Sequence, residues 1–191
     1  MPIIFDEAGM VEQVKLNPVT TIGKEVCASH VVKVWEAVSA FIVQTLCGGR
    51  AVRIPGLLTI TFKIIQIELS QRDTILQKNP HIILSSELAL RHSLRVKKPP
   101  YNLDIPEVDL NLSVIAKICN MSRVHVEHCV EEVIHAFNRA IACDPHVELW
   151  LTKIGRVIVD CAEVDIVFCS EFLNLLGYSE EFIQDKRCPV R

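Results

Sequence analysis

Apolar and polar positions along the chain trace one pattern twice. In the second copy, Asn111 to Cys119 places Leu112, Ile115, Ala116 and Ile118 at helical spacing, which predicts a short helix broken at Asn120-Met121. Ser122 is a helix-starting residue, and Val126, Val130, Val133, Phe137 and Ile141 then form a stripe of threes and fours, one buried helix face. Asp144-Pro145 stops that helix. Val147, Leu149 and Leu151 alternate as a half-buried strand, Lys153 to Gly155 supplies a turn, and Val157–Val159 and Val164–Phe168 read as two more strands. Ser170 is placed to cap a last helix, Glu171–Leu176, stopped by Gly177. The predicted order is ααβββα.

The first copy follows the same order. Asp6 to Leu16 is a helix ended by Asn17-Pro18, and Ala28 to Leu46 is a long helix with Val31, Val34, Trp35, Val38, Phe41, Ile42 and Leu46 on its apolar side. Gly48-Gly49 ends it. Strands are expected at Arg50–Ile54, Leu58–Leu69 and His81–Leu84, and a helix at Ser85–Ser93. A tandem repeat of one small α+β unit divides the chain into residues 1–95, a Pro-rich linker at 96–108, residues 109–178 and a tail at 179–191. Pro99-Pro100 stiffens the linker, yet its length allows the two units to pack face to face.

Half of the 191 residues are hydrophobic and mean hydropathy is +0.30, which implies a sizeable core or a partner interface. The least charged run, Val34 to Cys47, holds Glu36, Ser39 and Gln44 and is too short to span a bilayer, and the N-terminus has no basic region ahead of an apolar one, so a cytosolic or nuclear setting is expected. Cys27, Cys47, Cys119, Cys129, Cys143, Cys161, Cys169 and Cys188 include no C-x-x-C pair and are expected as reduced thiols. The net charge of −3 hides an asymmetry: residues 1–98 sum to +4 and residues 99–191 to −7. Opposite signs draw the two units together and oppose a uniformly basic surface for nucleic acid.

Val52, Ile54, Gly56 and Thr59 match the strand-and-turn signature of the histone-like HU and integration-host-factor superfamily, which the chain resembles. Leu57, Leu58 and Ile60 depart from it at the aromatic, glycine and aromatic positions. Ile154-Gly155 is expected to keep the turn glycine in the second unit, and Ser122 begins the second helix as it does in that superfamily. Ile54-Pro55 through Thr59-Ile60-Thr61-Phe62, the run Trp35-Glu36-Ala37-Val38-Ser39-Ala40-Phe41, and Val164-Asp165-Ile166-Val167-Phe168 followed by Glu171-Phe172-Leu173 bring the likeness closer. They resemble a eukaryotic branch with two such domains in tandem, the coiled-coil domain-containing protein eighty-one family, from about residue 5 to 176. The C-terminal coiled coil that names that family does not occur within these 191 residues. The resemblance implies two HU-like domains closing one core as an intramolecular pseudo-dimer. It also implies a non-enzymatic scaffold of the cytoskeleton, at the centrosome or ciliary axoneme, with tubulin or microtubule-associated ciliary proteins as partners.

Prokaryotic HU proteins bend DNA with long β-ribbon arms that wedge into the minor groove. The second unit offers Asp160-Cys161-Ala162-Glu163 between its strands, which is short and acidic. The first has a longer stretch from Lys63 to Pro80, where Ile64, Ile65, Ile67 and Leu69 read as a twisted hairpin turning near Gln71-Arg72-Asp73 rather than an arm in water. Arg91, Arg95, Lys97 and Lys98 form the remaining basic cluster, which a helix C-terminus accommodates. Nucleic acid is therefore not the expected partner, although a nuclear DNA-binding architectural protein is the competing reading. His128, Glu132 and His135 share a helix face, but their order is not the H-E-x-x-H of metalloproteases, and they read as a solvated face. No G-x-S-x-G, P-loop or dinucleotide-binding glycine pattern occurs, so no catalytic, cofactor or metal residues are assigned. Trp150 lies on the strand face opposite Val147, Leu149 and Leu151 and is expected against the other unit or a partner.

Overall fold

The computed structural model describes residues 2–18, 20, 22, 27–68, 74–95, 105–180 and 183. The first unit runs β1 (Ile3–Phe5), α1 (Glu7–Lys15), α2 (Ala28–Cys47), β2 (Ala51–Ile54), β3 (Leu58–Glu68), β4 (Thr74–Leu84) and α3 (Ser86–Arg91). The second repeats that order as β5 (Glu107–Asp109), α4 (Leu112–Cys119), α5 (Arg123–Cys143), β6 (His146–Leu151), β7 (Gly155–Asp160), β8 (Glu163–Phe168) and α6 (Ser170–Leu175). Each unit thus carries the expected ααβββα order behind one extra leading strand.

Helix starts follow side-chain chemistry. Asp6 accepts from the Gly9 amide at 2.8 Å, Asn111 from the Ser113 and Val114 amides, Ser85 from Leu88 and Ser122 from His125, each serving a donor of the first helical turn. The last helix differs from expectation. Cys169, not Ser170, is its cap, with its sulfur accepting from the Phe172 amide at 3.4 Å. Asn120 ends α4 in the left-handed conformation at φ 53°, which asparagine adopts more readily than most residues.

The two leading strands interlock the units. Strand β1 pairs in parallel with β6, Ile3 opposite Val147 and Phe5 opposite Leu149. Strand β5 pairs in parallel with β2, Ala51 opposite Glu107 and Arg53 opposite Asp109. The sheets are therefore ordered β1-β6-β7-β8 and β4-β3-β2-β5, and each borrows an edge from the other unit. Of the expected linker 96–108, residues 96–104 lie outside the described residues, while Glu107 and Val108 belong to β5.

One core runs through both units. It joins Val31, Val34, Trp35, Val38, Ile42 and Leu46 of α2 to Val126, Cys129, Val130, Val133 and Phe137 of α5, between the inner faces of the two sheets. Among the described residues, α2 alone is long and apolar enough to cross a bilayer, but its stripe is the centre of this core. Each fully buried Val, Leu, Ile or Phe side chain contributes about 1.5–3 kcal/mol. The pseudo-dimer expected from the sequence is thus present in its strands, its helices and its core.

Opposite charges meet where the units meet. Arg53 forms a two-pronged pair with Asp109 at 2.6 and 2.9 Å and reaches Glu107 at 3.3 Å, and Arg95 pairs with Glu163 at 3.2 Å. The basic partner comes from the first unit and the acidic one from the second in each case, as the charge asymmetry predicts. All of these groups are largely exposed, so they fix register more than they stabilise.

Candidate functional site

The β3–β4 hairpin is where an HU fold carries its DNA arm. The third strand of the first unit begins at Thr74, not at His81, and pairs without a break from Leu58 opposite Leu84 to Glu68 opposite Thr74. Asn79-Pro80 accordingly lies inside the strand, Pro80 opposite Phe62. Proline is tolerated there because β4 is the sheet edge and its missing N–H breaks no second ladder. The result is a ribbon of 11 residues per strand, against 6 per strand in β7–β8. The first unit therefore has the hairpin expected between Lys63 and Pro80, with a longer second strand than expected, and the second unit's hairpin is short. The expected turn at Gln71-Arg72-Asp73 lies outside the described residues, as do the side chains of Ile64, Ile65 and Ile67.

The second unit holds the ribbon near the middle of β4. The Tyr178 hydroxyl donates to the Lys78 carbonyl, and burial pushes that hydroxyl's pKa up to about 12. Between β4 and β8 a cavity of about 220 Å³ is lined by Lys63, Asn79, His81, Arg95, Asp165 and Phe168 among others. Asn79 is 4% exposed, and its side-chain oxygen has no hydrogen-bond partner.

The repeated turns are equivalent in detail. In the first unit Leu57 N–H donates to the Ile54 carbonyl and Leu57 C=O accepts from the Ser85 amide at 3.0 Å. In the second, Ile154 N–H donates to the Leu151 carbonyl and Ile154 C=O accepts from the Cys169 amide at 2.8 Å. Leu57 and Ile154 are both fully buried.

Two family models match the chain in tandem: CCDC81 eukaryotic HU domain 1 over residues 8–96 and CCDC81 eukaryotic HU domain 2 over residues 106–180. The chain belongs to the CCDC81 eukaryotic HU family. In this family member the bonding pattern corrects one residue equivalence. Gly56, at φ 75°, corresponds to Lys153, at φ 63°, so the second unit's turn keeps the left-handed conformation without the glycine. Gly155 opens β7 instead, where a Cβ would meet the Val167 carbonyl oxygen at 2.1 Å.

The remaining sequence candidates separate cleanly. Arg91 is occupied by Glu87 at 2.6 Å and Arg95 by Glu163, while Lys97 and Lys98 lie outside the described residues. His128 and His135 are exposed, but Glu132 is buried, accepting from the Asn17 side chain at 3.1 Å where α1 packs on α5. The expected solvated face is therefore split by the other unit's first helix, a correction that the helical wheel alone does not contain. Cys129 is 1% exposed, and burial pushes its thiol up to about 11. Seven cysteines are free among the described residues.

Of the two covers expected for Trp150, the other unit does not supply one. Its side chain is 46% exposed on the outer face of the second sheet, in a region with Ile4 at 39% and Val167 at 41%. Its carbonyl is tied to the first unit by Trp35 Nε1 at 2.9 Å, and its indole N–H reaches Glu148 at 3.4 Å. A groove of about 1080 Å³ runs beside it, bounded by Met10, Trp35, Glu36, Trp150, Arg156 and Phe168. It is built from both units and did not figure in the sequence reading, because no single element contains it.

Proposed function

We propose that this chain is a non-enzymatic scaffold that binds protein partners at the centrosome or ciliary axoneme, among tubulin or microtubule-associated proteins. The observation that carries the reading is the open apolar sheet face around Trp150, next to a groove shared by both units. Aromatic residues flanked by polar groups are favoured at protein interfaces. The interlocked units already close the HU dimer contact within one chain, which leaves this outer surface for other proteins. The location is the one implied by the sequence resemblance. Imaging of the tagged chain in ciliated cells tests it: enrichment at basal bodies or axonemes is expected, and confinement to chromatin overturns it.

The ribbon on the first unit favours a second reading, a nuclear DNA-binding architectural protein. A single ribbon cannot clamp a duplex from two sides, and the charge of the whole chain is acidic. Binding to duplex DNA measured across a salt series separates the readings, since affinity carried by phosphate contacts falls steeply with salt. No binding at low salt removes this second reading.

A further inference from the structure

The far end of the second hairpin gathers three donor groups of different chemistry. His146 opens β6 and lies directly opposite Asp160, the last residue of β7, so their side chains leave the same face of the sheet. His146 Nδ1 is 2.8 Å from Asp160 Oδ1. Cys161 follows in the turn, and the ligand atoms of all three residues lie within 4.8 Å of one another. Two further bonds hold the cluster: the Cys161 amide donates to the Pro145 carbonyl at 2.7 Å, and the His146 amide to the Asp144 carboxylate at 2.8 Å. All three side chains are exposed, so an ion reaches them without opening the core.

We propose that His146 Nδ1, the Asp160 carboxylate and the Cys161 thiolate form a site for a zinc(II) ion, with water as the fourth ligand. Imidazole, carboxylate and thiolate together suit a borderline-soft divalent cation, and magnesium or calcium would not select the sulfur. Register in the β6–β7 ladder presets two ligands and the turn supplies the third. On binding, the ion replaces the His146–Asp160 hydrogen bond. It also replaces the proton of Cys161, which is released to solvent. The ion would fasten the start of β6 to the end of β7, beside the contact of Arg95 with Ala162 and Glu163 that links the two units.

Cobalt(II) titration of the reduced, chelator-washed full chain tests the proposal. A thiolate-to-cobalt charge-transfer band saturating at one ion per chain is expected, and zinc(II) should abolish it. C161S should lose the band, and H146A should weaken zinc binding by at least about tenfold. C143S, at the neighbouring exposed thiol, should keep both. Because the three ligands are on the surface, circular dichroism and thermal melting of the metal-free variants should match the parent. Absence of a band, or a band of equal strength in C161S and H146A, overturns the site and leaves a surface His–Asp pair beside an unrelated thiol.

Discussion

The indole N–H of Trp35, in the long helix of the first unit, donates to the backbone carbonyl of Trp150, in the first long strand of the second, at 2.9 Å. Trp35 is 2% exposed, so this bond is made inside the shared core, where a lost partner is not replaced by water. W35F should destabilise the chain by about 1–3 kcal/mol through the orphaned carbonyl, and W35A by about 3–5 kcal/mol through the added cavity. Urea unfolding followed by tryptophan fluorescence and by far-ultraviolet circular dichroism should give one coincident transition. Two separated transitions would show that the halves melt independently.

Phe5 supports the same coupling from the other direction. It is fully buried, and its ring stands edge-on to Phe137 with centroids 5.7 Å apart. Phe5 belongs to the strand that the first unit lends to the second sheet, so F5A should cost about 3–5 kcal/mol although it lies near a chain end. Residues 1–95 expressed alone lack β5 and should aggregate or dimerise, while the full chain sediments as a compact monomer. Two soluble, monomeric halves in the ultracentrifuge would contradict the strand exchange.

Gly155 and Gly56 separate two reasons for a glycine. At Gly155, φ is 150° and an added Cβ would fall 2.1 Å from the Val167 oxygen and 2.8 Å from the Phe168 Cα, backbone atoms fixed by the β7–β8 ladder. At Gly56, φ is 75° and the space is open, so only the left-handed cost of about 1–2 kcal/mol applies. G155A should therefore lower the melting temperature further than G56A. Equal losses would mean that the strand shifts to admit the methyl group.

Periodicity made the helices and the main strands legible because each is long enough to show a stripe or an alternation. Cap chemistry sharpened one of them: Ser122 marks its helix start in the sequence as in the structure, while Asp6 and Asn111, read as the first helical residues, are the caps. Strands β1 and β5 were not legible, since three residues carry no period and each pairs with a strand more than fifty positions away. The full length of β4 was hidden for a different reason. The strand was expected to start at His81, just after Asn79-Pro80, and only its place on a sheet edge lets it run through the proline. Glu132 shows the same limit, as a helical wheel separates apolar from polar faces but does not reveal that α1 of the other unit covers part of the polar one. The groove beside Trp150 and the His146–Asp160–Cys161 cluster likewise depend on which elements become neighbours.

The charge asymmetry predicts an acid-sensitive seam. The Arg53 guanidinium, through its hydrogen bonds first and its charge second, holds the Asp109 carboxyl below its ordinary value. A carboxyl whose folded pKa is lowered contributes stability that is present above the unfolded value and is lost as pH falls through the folded one. D109N should remove that part of the acid dependence, and the difference between variant and parent should shrink in high salt because the pair is exposed. Melting temperatures across the acid range at two salt concentrations check both statements.

Tyr178 predicts the opposite limb. Its hydroxyl, pushed up to about 12 by burial, donates to the Lys78 carbonyl near the middle of β4. In the unfolded chain a tyrosine ionises near ~10. Between those two values the unfolded state releases a proton that the folded state retains, so stability should be complete below the unfolded value and should fall as pH rises toward the folded one. Cys129, held at about 11 by burial in the core, adds a component that begins at lower pH. Y178F should abolish the tyrosine component while leaving that of Cys129, and it should loosen the contact between the ribbon and the segment after α6. Tyrosinate absorbance of the folded protein, with that of Y178F subtracted to remove Tyr101, gives the first quantity. A tyrosine that ionises at its ordinary value in the folded chain would show that the hydroxyl is not sequestered and that the second unit does not grip the ribbon through it.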